Sequence, residues 1–186
     1  MFYTEIRKGN VLKIEGELYL VLWAQNHKPG KGGAVMRTRL KNIIRGTVME
    51  KTFRGGDTFE EAYVEKRQAQ LLYKEADGSY VFMDNETFDQ NHIPADTIGE
   101  DAKYLKEEMI CTLHMYEGDV ILVEPPMFVE LEIIETDPGA RGDTVSGGTK
   151  PATLETGAVV LIPLFVQKGE KVKVDTRDDR YIERVK

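Results

Sequence analysis

The sequence predicts an all-β protein, three small β-barrel domains in a row. Three observations carry that prediction. Apolar residues recur mostly at every second position, the period of a strand with one buried face. Strand-length runs are separated by turn-forming pairs such as Asp77-Gly78, Glu117-Gly118 and Lys168-Gly169. Two breaks then cut the chain. A change in charge sign follows Arg54-Gly55-Gly56-Asp57, and Pro125-Pro126 cannot continue a strand ladder. The resulting domains are 1–64, 65–126 and 127–186. Each is small for an independent core, so packing between neighbours is expected to support them.

The elements follow in order. Residues 17–24 (ELYLVLWA) read as a first strand, 34–41 (AVMRTRLK) as its hairpin partner, and 47–53 as a third strand after the Arg45-Gly46 turn. Strands are expected in the middle third at 68–74, 80–83, 110–116 and 120–124. The last third adds 128–135, 158–165, 171–175 and 181–185. One helix is expected at 101–108, with Asp101 as its N-cap. Asn85-Glu86-Thr87 reads as a capped turn.

Composition narrows the function classes. With 41% apolar and 31% charged residues, wholesale disorder is excluded. The longest apolar run, 158–166, contains Pro163 and falls short of the ~18 residues that a membrane helix needs. The polar N-terminal ten residues do not resemble a secretory leader. Cys111 is the single cysteine, which excludes an intrachain disulfide and fits a reducing, cytoplasmic location. Its apolar surroundings predict a buried structural thiol. His27, His92 and His114 are scattered, so no metal site is expected. Neither a phosphate-cradling P-loop nor a Gly-x-Ser-x-Gly elbow occurs. An enzyme would have to rest on a carboxylate pair that no spacing indicates. The reading is therefore a non-enzyme with no catalytic residue, no cofactor and no metal.

A net charge of −7 argues at first sight against a nucleic-acid partner, but the distribution is uneven. Residues 1–64 carry eleven Lys/Arg against seven Asp/Glu, 65–128 five against fourteen, and 129–186 nine against eleven. Screening confines such fields to roughly 8–10 Å, so a basic first third can meet phosphate even on an acidic protein.

The most informative segment is Lys28-Pro29-Gly30-Lys31-Gly32-Gly33, between the first two strong strands. Pro29-Gly30 suits the centre of a type II turn. Gly32 and Gly33 remove side chains beside Lys31, leaving one long cation on a slim finger that can enter a narrow RNA-lined cavity. In the following strand Arg37, Arg39 and Lys41 fall on alternate positions and share one face, and Arg45 continues the basic trend. Side chains about 6.6–6.8 Å apart along a strand can track a phosphate backbone. The apolar residues Val35 and Leu40, with Thr38, do not all share the other face, so the alternation is expected to be imperfect.

Lys28 to Ala34, Lys51-Thr52-Phe53, Met83 to Phe88, Phe128-Val129-Glu130-Leu131, Gly142-Asp143-Thr144, Gly147 to Leu154 and the run from Gly157 to Gly169 together resemble the bacterial elongation factor P family. The resemblance covers essentially the whole chain in order. It implies an SH3-like, KOW-type N-terminal domain followed by two OB-folds in a tRNA-shaped molecule. It implies a translation elongation factor that binds the ribosome between the P and E sites, meets both subunits and rRNA, and relieves stalling at consecutive prolines. It implies that Lys31 is the position extended by a lysine-modifying enzyme, and that its tip reaches the CCA end of P-site peptidyl-tRNA. Gly142-Asp143-Thr144 would lie near the mRNA at the E-site codon, and Tyr181 and Arg184 would touch tRNA. A factor filling one ribosomal slot is expected to be a monomer, with no membrane partner. An elongation factor P-like paralogue with a narrower role is an alternative reading. Another is a generic OB-fold RNA-binding protein with Tyr73, Tyr80, Phe82 and Phe88 as its platform, although the acidic middle third favours core packing for these four.

Overall fold

A computed structural model describes residues 2–28, 33–138 and 148–185. It is built almost wholly of strands. Fifteen strands among the described residues form three sheets. The chain divides into two compact units, Met1–Lys66 with His114–Leu122, and Arg67–Leu113 with Val123–Lys186. Among the described residues no helix is long and apolar enough to cross a membrane.

The first sheet contains β1 (Val11–Ile14), β2 (Glu17–His27), β3 (Val35–Asn42), β4 (Val48–Phe53) and β5 (Glu60–Ala62), in the order β4-β3-β2-β1-β5. β1 was not foreseen because it has only four residues. Its turn into β2 is Glu15-Gly16, with φ of 52° and 84°. Positive φ at both central residues is the two-residue hairpin turn that matches strand twist. β5 is a three-residue, acidic edge strand against β1, too short and polar for an alternation signal. One face of this sheet encloses Ile6, Leu12, Ile14, Val21, Met36, Leu40 and Phe53. The other face carries a second cluster, in which Leu122 packs with Val11 and Leu20. Nearby, Gly9 has φ +88°, and a Cβ there would stand 2.5 Å from the buried His114 ring. Only glycine meets both demands at this position.

The second sheet runs β10-β9-β6-β7-β8, from β6 (Glu65–Lys74), β7 (Tyr80–Asp84), β8 (Gln90–Ile93), β9 (Ile110–Tyr116) and β10 (Asp119–Glu124). β8 is polar and was missed for that reason. Asn85-Glu86-Thr87 lies in a turn, but the cap on Glu86 and Thr87 is the preceding Asp84 and not a side chain of the segment itself. Buried Asp84 accepts the backbone N–H of Glu86 at 2.8 Å and of Thr87 at 3.0 Å. These bonds hold its carboxyl below the usual carboxylate range. The helix lies elsewhere than expected. One α-turn, α1 (Ala95–Ile98), runs into a 3₁₀ segment at Gly99–Tyr104, and Leu105 is already extended. Pro94 starts the α-turn, and Gly99, at φ 66°, breaks it. Burial of Tyr104 and Leu105 then overrides the helical preference of 101–108. Of the four aromatics considered for a platform, Tyr80 and Phe82 are core residues, whereas Tyr73 and Phe88 are exposed. Phe88 sits at φ 63° and closes the Asp84 turn through its own N–H.

The third sheet closes into a barrel, β11-β12-β13-β15-β14. Its strands are β11 (Phe128–Thr136), β12 (Thr149–Leu154), β13 (Val159–Pro163), β14 (Lys171–Asp175) and β15 (Arg180–Val185). β12 contains Pro151 and so reads poorly as a strand. The proline is tolerated because the last β11 pair is Thr136↔Ala152, and Pro151 lies beyond it. Tyr104 inserts into this barrel's core, beside Leu131, Ile133 and Val172, and its hydroxyl bonds Asp179 at 2.5 Å. At the C-terminal end of β14, the side chain of Asp175 is 1% exposed and accepts three bonds from Arg177.

Two outcomes are expected. Arg177 holds the Asp175 carboxyl at about 2, below the ordinary 3.8. A depressed folded-state value means that the pair stabilises the protein fully above about pH 5 and is lost as the pH falls toward 2. Thermal melts from pH 7 to pH 2 should therefore show a decline that is shallower in Asp175→Asn. Separately, the Tyr3 hydroxyl donates to the Ala34 carbonyl at 3.0 Å, tying the N-terminal 3₁₀ turn to the start of β3. Tyr3→Phe should cost about 0.5–1.5 kcal/mol. Amide exchange should accelerate at Gly33 and Val35 and stay unchanged at Leu113.

Candidate nucleic-acid interface

β2 and β3 form a long antiparallel ladder, from Tyr19↔Asn42 to His27↔Val35. The last pair fixes both ends of the connecting segment 28–34. Lys28 and Gly33, at those ends, are exposed. Pro29, Gly30, Lys31 and Gly32 lie outside the described residues, as do Gly142, Asp143 and Thr144.

β3 alternates regularly from Met36 to Asn42. Met36, Thr38, Leu40 and Asn42 point inward and are buried, and Arg37 and Arg39 point outward and are exposed. Lys41 shares the outward side and is half-buried. Half-buried Val35 falls on the side of the arginines and not with Thr38 and Leu40, which is the imperfection expected from the spacing, and the buried side includes two polar residues, Thr38 and Asn42. Each is buried only because its polar atoms are satisfied. The Thr38 hydroxyl donates to the Lys51 carbonyl at 2.8 Å. Asn42 Oδ1 accepts the N–H groups of Ile44 and Arg45.

Arg45 does not extend this row. It sits in the turn after β3, and its guanidinium pairs with Glu17 at 2.5 Å. The cationic row is therefore Arg37, Arg39 and Lys41, with Arg45 aside and partly neutralised.

The ladder is interrupted once. Val21 pairs with Leu40 and Trp23 with Arg39, so Leu22 is an extra residue on β2. This bulge reverses the facing of everything beyond it. Val21 and Ala24 both pack on the inner cluster, and Trp23 and Gln25 turn to the arginine side. Across the sheet Arg39 faces Glu50 and Arg37 faces Thr52 on β4. The outer surface is thus two rows, Trp23-Arg39-Glu50 and Gln25-Arg37-Thr52. Sequence spacing does not bring Trp23 or Gln25 to the arginine side. The usable signal was Trp23 itself, the single tryptophan of the chain, in a strand whose strict alternation would have buried it.

The barrel places Tyr181 and Arg184 on one side of β15. Three residues apart, they would face opposite ways in a regular strand. A register shift lets Tyr181 pair with Val174 and Arg184 with Val172. Tyr181 packs against the barrel core, and Arg184 donates to Glu170 at 2.8 Å.

Two further reactive side chains have structural surroundings of their own. Cys111 is buried, and burial pushes its thiol up to about 12, so it stays protonated at neutral pH. His92 is paired with Glu75 at 3.0 Å. Among the described residues no group of three or more His, Cys, Asp or Glu side chains is placed to hold a metal ion.

The model of the elongation factor P KOW-like domain matches residues 3–59, that of the elongation factor P OB domain matches 64–123, and that of the elongation factor P C-terminal region matches 129–184. The elongation factor P of Caldanaerobacter subterraneus subsp. tengcongensis is 51% identical over 181 residues, covering 97% of each chain. That of Salinispora tropica is 52% identical over 182 residues, again covering 97% of each. That of Gloeobacter violaceus is 47% identical, with the same coverage. The all-β architecture, the three domain models in chain order and these end-to-end identities agree. The chain is a translation elongation factor and belongs to the elongation factor P family.

Proposed function

We propose that this protein acts on the ribosome between the P and E sites, where it holds peptidyl-tRNA in a productive geometry and relieves stalling at consecutive prolines. The observation that carries the reading is the β2–β3 ladder. It is paired up to His27↔Val35, so the segment bearing Lys31 is mounted on a braced hairpin, with exposed Arg37 and Arg39 on the flank. Family membership adds the ribosome as partner and protein synthesis as context.

The physical argument is one of orientation. Proline is a poor nucleophile in peptide transfer because its ring restricts both the amine and the nascent chain. The ribosome supplies the chemistry, so a factor helps by limiting the motion of peptidyl-tRNA. A single cation at Lys31 pairs with the tRNA backbone near its CCA end. Pro29, Gly30, Gly32 and Gly33 keep the tip slim, Lys28 adds charge at its base, and a lysine-modifying enzyme would lengthen its reach. Arg37, Arg39 and Lys41 contact phosphate, with Arg45 at their margin. Gly142-Asp143-Thr144 approaches the mRNA at the E-site codon, and Tyr181 and Arg184 face tRNA. Both subunits and rRNA are met by a monomer working in the cytoplasm. The three sheets support a division into domains at 1–64, 65–126 and 127–186.

Lys31→Ala should test the reading. In a reconstituted translation reaction on a message with consecutive prolines, the variant is expected to lose about tenfold or more of the stimulation, equivalent to about 1.4 kcal/mol of orientation. Synthesis from a proline-free message should be unchanged. Full stimulation by the variant would end the proposal.

A further inference from the structure

We propose that Trp23 is a stacking platform for an unpaired RNA base, with Arg37 and Arg39 holding the phosphates on either side of that base. The inference deepens the proposed function by adding a base-contacting residue to the same face, and it rests on RNA being the partner.

Trp23 is 42% exposed, in the middle of a strand rather than in a loop. Sheet position alone would not put it there. Continued alternation from Val21 would turn Trp23 into the core, where Ile6, Leu12, Met36 and Phe53 pack. The extra residue at Leu22 turns it outward and gives the inward place to the smaller Ala24. A bulge that removes the largest apolar side chain of the chain from an available core costs hydrophobic burial, and bulges of this kind characteristically re-aim a side chain.

The surroundings select the occupant. The lower part of the same face is covered, because Leu20 and Leu22 pack with Ile121 and Leu122. The covering ends below Trp23, and the upper part is open. There the indole is paired across the ladder with Arg39, and its next outward neighbour, Gln25, with Arg37. Glu50 is the carboxylate of these rows and lies on the far side of Arg39 from the indole. An apolar protein partner would be poorly matched to two exposed guanidinium groups. A phosphodiester strand matches both features, because its bases offer flat π-faces and its phosphates pair with arginine. The arrangement is tolerant of sequence, since every base can stack.

Trp23 is the single tryptophan, so its emission reports on the platform directly. The full-length protein should be titrated with a ten-nucleotide single-stranded oligouridylate and with the same length of oligoadenylate, at low salt. Saturable quenching of the indole emission by both is expected, weakening as salt rises. Labelled oligonucleotide should bind Trp23→Leu about tenfold or more weakly, and Trp23→Phe within a few-fold of the parent. Circular dichroism of both variants should match the parent. Unquenched emission at saturating RNA, absence of RNA binding, or equal affinity of Trp23→Leu would each overturn the proposal. Because the titration contains no ribosome, its failure leaves the Lys31 reading standing. Full stimulation by Lys31→Ala, conversely, leaves the titration interpretable.

Discussion

The antiparallel ladder between β2 and β3 is the constraint on which the first unit depends. All eight residues of β3 pair with β2 on one side, and six of them, Met36 to Lys41, pair with β4 on the other. That double pairing sets which side chains are core and which face outward. Met36, Thr38, Leu40 and Asn42 close the inner cluster, and their alternates Arg37, Arg39 and Lys41 are thereby forced onto one outer row. Charge placement here is a by-product of burial. A one-residue slip would exchange the two sets, at the cost of burying two guanidinium groups.

The same ladder fixes His27 and Val35, the two residues that flank segment 28–34. An ammonium on a free loop would have to be ordered at the moment of binding, and that ordering would subtract from affinity. Pairing to His27↔Val35 restricts the problem to seven residues, and the Tyr3 hydroxyl holds the Ala34 carbonyl at one end. In the proposed role the fold therefore supplies aim, and the lysine supplies charge and reach.

Much of this was legible in the sequence, and the exceptions have physical causes. Long strand runs bounded by turn residues, such as 17–24 and 110–116, could be read directly. Short or polar strands could not, because β1, β5 and β8 owe their form to neighbouring strands rather than to their own pattern. Pro151 hid β12, since only the register shows that its missing N–H is not needed. The expected helix at 101–108 failed where burial of Tyr104 and Leu105 outweighed local propensity. Within the candidate interface the alternation of Arg37, Arg39 and Lys41 was visible. The ion pair that draws Arg45 toward Glu17 was not, nor were the two bulges. Those bulges change which residues share a face, bringing Trp23 to the arginines and Tyr181 to the side of Arg184. A bulge leaves no composition signature, so face assignments made from spacing alone fail beyond it.

In the proposed role, segment 28–34 meets the acceptor end of peptidyl-tRNA. Cryo-microscopy of the full-length protein on ribosomes stalled at consecutive prolines tests it most directly. Density for segment 28–34 is expected against the CCA end of the P-site tRNA, with Arg37 and Arg39 toward RNA phosphates. Density showing that segment directed away from the acceptor end, with the arginines facing solvent, would contradict that role.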